Sequence, residues 1–272
     1  MSELLSVMND GYEIPSIGYG TWKVADSDAE SLVLEALTAG YRHIDTATIY
    51  ENEEGVGRGI KNSGLDREEI FVTTKLWTDD MGDPESALST SLKKLGLDYV
   101  DLYLIHWPAP KLGLYQQAWD GLISLREKGM AKSIGVSNFN PAHLQEITAS
   151  GVVPAVNQVE LHPGFPNTAT AQANTDQGTL TESYAPLGRG HYLSDSALTE
   201  IAVRLEATPA QVLLAWHLAN GYIPLPKSST PTRIKENLKA ENLELSCGDL
   251  VALDGLATGT KICAEPEDFN GF

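Results

Sequence analysis

Cysteine is scarce in this chain: only Cys247 and Cys263 occur in 272 residues. They form no Cys–X–X–Cys pair, which argues against a redox motif, a zinc ribbon or a disulfide framework. A reducing cytoplasm fits such usage. Basic residues are also short: 19 Lys and Arg stand against 37 Asp and Glu, a formal net charge of −18. That balance disfavours non-specific nucleic-acid binding and attachment to anionic membranes, although a local basic cluster can still hold an anionic ligand. No apolar run approaches the roughly 20 residues that span a bilayer. The start, MSELLSVMNDGYEIP, lacks a basic stretch followed by an apolar core, so no signal peptide is expected. The six histidines include no His–X–His pair. No metal site is therefore expected, and a barrel metal hydrolase is disfavoured. No Pro/Gly/Ser-rich linker or low-complexity tract divides the chain, so residues 1–272 are expected to form one domain.

What the chain does have is alternation. Asp10-Gly11 between short apolar stretches signals an N-terminal β-hairpin. Strand-like runs follow at 17–20, 43–45, 71–76, 100–106, 133–136, 155–159, 179–184 and 222–225. Helical patterns lie between them at 28–39, 53–62, 84–95, 115–127, 141–149 and 196–205, and Thr208-Pro209 opens another as N-cap and first helical residue. The sixth repeat, TATAQANTD at 168–176, has no large apolar residue and reads as a frayed helix or a loop. Helices are also expected through RIKENL and near 248–256, before an irregular tail. Repeated βα units select a parallel sheet. Eight of them in about 250 residues select a (β/α)8 TIM barrel with an N-terminal hairpin and extra C-terminal helices.

In such a barrel every strand ends on one face. Asp45, Tyr50, Lys75 and His106 lie at or just beyond the ends of the second, third and fourth strands, in HIDTATIY, FVTTKLW and LYLIHWP. A phenol is a poor acid near neutral pH. An ammonium beside it favours the phenolate, so Lys75 is expected to lower the pKa of Tyr50, with Asp45 holding Lys75 charged. His106 can hydrogen-bond a substrate carbonyl while Tyr50 donates a proton to its oxygen. Each residue alone also has a structural reading, as a helix cap or a surface pair, but their joint placement favours a proton-donating site. Trp22, Trp77 and Trp107 also follow strand ends and could line an apolar mouth, with Phe139 joining them. Trp119 and Trp216, within helices, read as core, His162 as structural and His191 as a loop residue.

These motifs resemble the aldo-keto reductase family along essentially the whole chain. The resemblance rests on GYRHIDTATIYENEEGVG (40–57), TTKLW (73–77), DLYLIHWP (101–108), IGVSNF (134–139), NQVELHP (157–163) and PKSSTPTRIKEN (226–237). The short loops look most like prokaryotic members that include 2,5-diketo-gluconic acid reductases. The resemblance implies catalytic roles for Tyr50, Lys75, Asp45 and His106, and NADPH-dependent reduction of an aldehyde, ketone or keto-sugar acid. It implies a substrate pocket of Trp22, Tyr50, Trp77, His106 and Trp107.

The cofactor set has its own chemical logic. No G-x-G-x-x-G follows a strand, which speaks against a Rossmann site. GVGRG at 55–59 sits in a helix and reads as close helix packing. Ser137, Asn138 and Gln158 can hydrogen-bond a carboxamide, and Tyr184 can stack on a nicotinamide ring, as the matching family residues do. Leu187, Gly188 and Arg189, within PLGRG, offer backbone N–H groups and a cation to a pyrophosphate. Thr230-Pro231 starts a helix whose N-terminus attracts anions, and phosphate sites of barrels cluster after the last two strands. The resemblance places the adenosine 2′-phosphate on Lys227, Ser228 and Arg233 and adenine on Glu236 and Asn237, with Ser229 and Thr230 also in the cofactor set. It adds Thr21, Trp22 and Asp45 to the cofactor set. These assignments favour NADPH over NADH. Ala185 replaces a serine common in relatives, and Arg189 a small polar residue. A cytoplasmic monomer acting on a small molecule is expected. A cofactor-binding regulatory subunit on the same fold, without significant turnover, is the alternative.

Overall fold

Asp10-Gly11 makes the first turn, with Gly11 in the left-handed region at φ +89°. It joins β1 (Leu5–Val7) to β2 (Glu13–Pro15) as an antiparallel hairpin. The computed structural model describes residues 4–269 and Gly271. The hairpin closes the floor of a barrel: Met8 and Ile14 pack with Phe71, Leu102, Leu104, Val156 and Ile223.

The barrel strands are β3 (Tyr19–Gly20), β4 (His43–Asp45), β5 (Phe71–Leu76), β6 (Val100–Ile105), β7 (Ala131–Ser137), β8 (Val156–Glu160), β9 (Leu180–Tyr184) and β10 (Ile223–Pro224). They pair in parallel in chain order from β3 to β10. The first and last are shorter than the sequence pattern suggests, and proline explains this. At their seam Gly18 and Gly20 donate to the carbonyls of Pro224 and Pro226, at 3.1 and 3.2 Å. Leu225 faces the other way and donates to Ser183 at 3.0 Å. Prolines have no N–H to return, so the ring closes through bonds that run one way across the seam.

Helices α1 (Asp26–Ala39), α2 (Glu53–Asn62), α3 (Pro84–Leu95), α4 (Tyr115–Glu127) and α5 (Pro141–Thr148) surround the first strands. The glycines of α2 allow close packing: a Cβ on Gly55 would meet Asp26 O at 2.4 Å, and one on Gly57 would meet Leu95 O at 2.2 Å. The sixth repeat is α6 (Thr168–Gln177), a helix of 10 residues rather than a frayed helix or a loop. Polar fit replaces apolar burial there. Buried Asn174 accepts from Asn157 at 3.0 Å and donates to Thr181 at 2.9 Å, and Gly178 at φ +75° ends the helix.

Beyond β9 come α7 (Ser196–Arg204) and α8 (Pro209–Ala219). Thr208 caps α8 in a capping box with Gln211, as Thr-Pro predicts. After β10, α9 (Pro231–Leu238) and α10 (Cys247–Asp254) follow. Trp119 and Trp216 are core, 1% and 2% exposed. The tail then folds back over the barrel mouth. Thr258 and Gly259 donate to Gly164 O, Ile262 and Cys263 donate to the Glu160 carboxylate at 2.6 and 3.0 Å, and Asn140 donates to Glu267. Cys247 and Cys263 are both free.

Candidate active site

Strand alternation decides which side chains enter the barrel. On β5, Phe71, Thr73 and Lys75 face inward while Val72 and Leu76 join the helix-facing core. Lys75, fully buried, donates to both Asp45 oxygens at 2.7 and 2.8 Å and to Thr46 O at 2.8 Å. Thr21 supports the same strand end, its hydroxyl donating to Asp45 O at 2.9 Å. Tyr50 closes a 3-10 turn, Thr48–Tyr50, that carries it over this pair. Lys75 Nζ lies 5.2 Å from the centre of its ring. His106 follows β6 and meets Tyr50 edge to face at 5.7 Å. The four residues predicted from three strand ends therefore meet in one site.

Its electrostatics differ from the expectation in one respect. Burial lifts the Tyr50 phenol above the ordinary tyrosine value, and the opposing pull of Lys75 does not cancel that lift. Burial also works against the Lys75 ammonium, but Asp45, Tyr50 and Glu182 outweigh it and its pKa is raised. Burial, then Lys75, holds His106 well below the usual imidazole range, so it is neutral near pH 7. Its Nδ1 is buried without a hydrogen-bond partner.

Trp77 packs edge to face on His106 at 5.1 Å. Phe269, from the tail, stacks on Trp107 at 4.2 Å and lies 5.8 Å from Trp77. Two of the three expected tryptophans thus share a wall. Trp22 is 41% exposed, with the Arg189 guanidinium 5.0 Å from its ring and Lys23 4.4 Å away. Phe139 is not on the rim as expected. It is buried against Tyr115 and His143, because its position after β7 turns it toward α4 and α5.

The residues expected to hold a nicotinamide form one hydrogen-bonded layer. Asn138, at φ +64°, donates to His106 O at 2.9 Å and to Ser137 Oγ at 3.1 Å. Ser137 donates to Gln158 O at 2.8 Å, and Tyr184 donates to Asn138 Oδ1 at 2.7 Å. Gln158 Nε2 donates to Asp45 Oδ2 and Glu182 Oε2, each at 2.9 Å.

In the turn after β9 the N–H groups of Gly188, Gly190 and His191 donate to Ala185 O, Leu187 O and Gly188 O. They are committed inside the turn, so the N–H of Gly188 is not the open donor expected of it. Arg189 instead faces Trp22 and donates to Cys263 Sγ at 3.1 Å. Lys227 donates to Ser229 Oγ at 2.8 Å, and Ser228 Oγ accepts from Thr230 N at 3.1 Å. Lys227 and Arg233 are exposed beside the start of α9, Glu236 is half-buried and Asn237 is buried. Lys235 pairs with Glu35 at 2.7 Å, away from this group. His162 is structural, buried against Glu160 at 3.2 Å, and His191 is an exposed loop residue.

Sequence reasoning missed Glu182, His43, Glu160 and Phe269. The first two left a readable trace: a Glu in LTESY and a His in HIDT, each in phase with inward residues of its strand. Phe269 left none, since the tail has no periodicity to place it. Among the described residues no three His, Cys, Asp or Glu form a metal-holding group, and no helix is long and apolar enough to cross a membrane.

Residues 16–258 match the Aldo/keto reductase family. The chain is 50% identical over 268 residues to an aldo-keto reductase of Mycolicibacterium vanbaalenii, covering 97% of this chain and 96% of that one. It is 45% identical over 263 residues to a Yersinia pestis protein named methylglyoxal reductase DkgA, covering 96% and 95%. Among solved structures, a Gox0644 variant in complex with NADPH superposes with a TM-score of 0.95 at 41% identity, covering 99% of each chain. An aldo/keto reductase of Brucella melitensis superposes with a TM-score of 0.91 at 48% identity, covering 94% and 100%.

Proposed function

This chain belongs to the aldo/keto reductase family and is an NADP-dependent oxidoreductase, and from that premise we propose that it reduces small α-dicarbonyls and keto-sugar acids. The observation that carries the reading is the Lys75–Asp45 pair set beneath Tyr50 with His106 alongside. Similarity to methylglyoxal reductases supports the dicarbonyl class. The reading takes residues 1–272 as one catalytic unit, a cytoplasmic monomer.

The residues present fit a nicotinamide dinucleotide phosphate. Lys227 and Arg233 stand exposed beside a helix N-terminus in a chain of net charge −18, a donor set suited to a phosphate. Ser228, Ser229 and Thr230 add polar groups to it, and Glu236 and Asn237 would take the adenine. Leu187, Gly188 and Arg189, with Trp22 and Thr21, would flank the pyrophosphate. Ser137, Asn138, Gln158 and Tyr184 would hold the nicotinamide. When bound, the cofactor supplies the hydride.

The chain's own residues do the rest. His106 is neutral and can donate to the substrate carbonyl, orienting it. Tyr50 gives its proton to the carbonyl oxygen as negative charge develops there. Lys75 stabilises the phenolate left behind, and Asp45 keeps that ammonium in place. Trp77, Trp107 and Phe269 form an apolar wall that excludes water and strengthens these interactions.

The test is a spectrophotometric screen of cofactor oxidation with methylglyoxal, other α-dicarbonyls, simple aldehydes and keto-sugar acids, run with NADPH and again with NADH. Turnover with NADPH, fastest on dicarbonyls or keto-sugar acids, is expected. Cofactor binding without turnover across the panel would replace this reading with a binding role.

A further inference from the structure

Beneath the site the barrel interior is polar where it is normally filled with branched apolar side chains. His43, Thr73, Gln158 and Glu182 are all buried there. Glu182 Oε2 accepts from Gln158 Nε2 at 2.9 Å, and the same nitrogen donates to Asp45 Oδ2 at 2.9 Å. Oε1 of Glu182 lies 3.7 Å from His43 Nε2, which is itself 3.0 Å from Thr73 Oγ1. A second carboxyl in a fully buried site occupied by the Asp45–Lys75 pair is unfavourable unless something is gained from it.

We propose that Glu182 is a positioning residue: with Asp45 it fixes the side-chain amide of Gln158 so that its nitrogen points down into the barrel and its oxygen up toward the mouth. The inference rests on the proposed role of Gln158 toward the nicotinamide. A primary amide has two N–H donors on one side and an acceptor on the other. Two carboxyl groups below take both donors. Turning the amide over would set its oxygen against the acceptor oxygens of both Asp45 and Glu182, so the two together impose one orientation. The oxygen left facing the mouth can accept from the N–H of a carboxamide, and it cannot do so for a ketone of the same shape. Glu182 touches neither substrate nor cofactor in this account. It acts through Gln158, and it separates cofactors by the group at nicotinamide C3.

This can be read by binding as well as by turnover. Quenching of tryptophan fluorescence gives Kd for NADPH and for the reduced acetylpyridine analogue, whose methyl ketone replaces the carboxamide. The wild-type chain should bind NADPH about tenfold tighter than the analogue, the scale of one hydrogen bond. Glu182→Met removes the acceptor at similar size, so the preference should shrink to less than about threefold through weaker NADPH binding alone. Glu182→Gln keeps an acceptor oxygen and should keep the preference. In a Gln158→Met background, Glu182→Met should change neither constant further. Should Glu182→Met fail to fold, Glu182→Thr, whose hydroxyl stops short of Gln158, carries the same expectation. Equal weakening toward both cofactors, or a preference that survives Glu182→Met, would overturn the proposal. A wild-type chain that binds no NADPH would instead overturn the functional reading itself.

Discussion

Lys75 Nζ lies 2.7 and 2.8 Å from the two carboxylate oxygens of Asp45, wholly inside the barrel. A buried pair of this kind is costly to break from one side, because the remaining charge loses its partner. Asp45→Asn is expected to lower unfolding free energy by about 3 kcal/mol, measured by urea denaturation. Asp45→Asn with Lys75→Met should recover much of that stability while leaving turnover near background. Recovery of turnover in the double variant would show that the pair is structural only.

The tail supplies part of the mouth. Phe269 stacks on Trp107 at 4.2 Å, and aromatic pairs contribute roughly 1 kcal/mol beyond their burial. Phe269→Ala should raise KM for a dicarbonyl several-fold and leave NADPH affinity unchanged. Steady-state kinetics and fluorescence titration together separate the two effects.

Cofactor choice should reside at the start of α9. Lys227 and Arg233 are the exposed cations there, and hydrogen bonds to charged groups are worth about 1.5–3 kcal/mol. Lys227→Ala with Arg233→Ala is expected to weaken NADPH binding by at least about tenfold on that scale and to leave NADH binding nearly unchanged. Equal losses for the two cofactors would move the 2′-phosphate site elsewhere.

The buried titratable groups give stability a definite pH dependence. Burial, then Asp45, pushes the Glu182 carboxyl up to about 8. The folded state therefore holds a proton that the unfolded chain releases near the ordinary carboxyl value, and stability from this group is lost as pH rises through about 8. Burial holds His43 near about 3 and His217 near about 4. Both stay neutral in the fold and charge on unfolding, so stability also falls as pH drops below about 6.5. Between about 6.5 and 8 the Glu182 term acts without the two histidines. Thermal denaturation across that range should slope downward for the wild-type chain and flatten in Glu182→Gln.

Much of this site was legible in the sequence because strand ends carry it. Asp45, Lys75 and His106 needed only the alternation of apolar runs and the rule that parallel strands end together. The GVGRG segment read correctly as helix packing for the same local reason. The polar sixth helix was harder: its burial depends on Asn174 meeting Asn157 and Thr181, and no periodic pattern reports a hydrogen-bonded asparagine. Phe139 and Phe269 went the other way. One leaves the rim and the other enters it, because the turn after β7 and the path of the tail are set by tertiary contacts. The lowered Tyr50 pKa was argued from charge alone, while burial, which sequence does not weigh, outweighs Lys75. Glu182 stood in plain view in LTESY, yet only the pairing register of β8 with β9 sets it beside Gln158.

Carbonyl reduction at this site turns on one proton, that of Tyr50. Tyr50→Phe removes the phenol hydroxyl and keeps the ring that packs on His106, so NADPH binding should be unchanged. General acid catalysis contributes about 10²–10⁴-fold, and kcat for methylglyoxal reduction should fall by roughly that factor. Full turnover by Tyr50→Phe with intact NADPH binding would contradict the assignment.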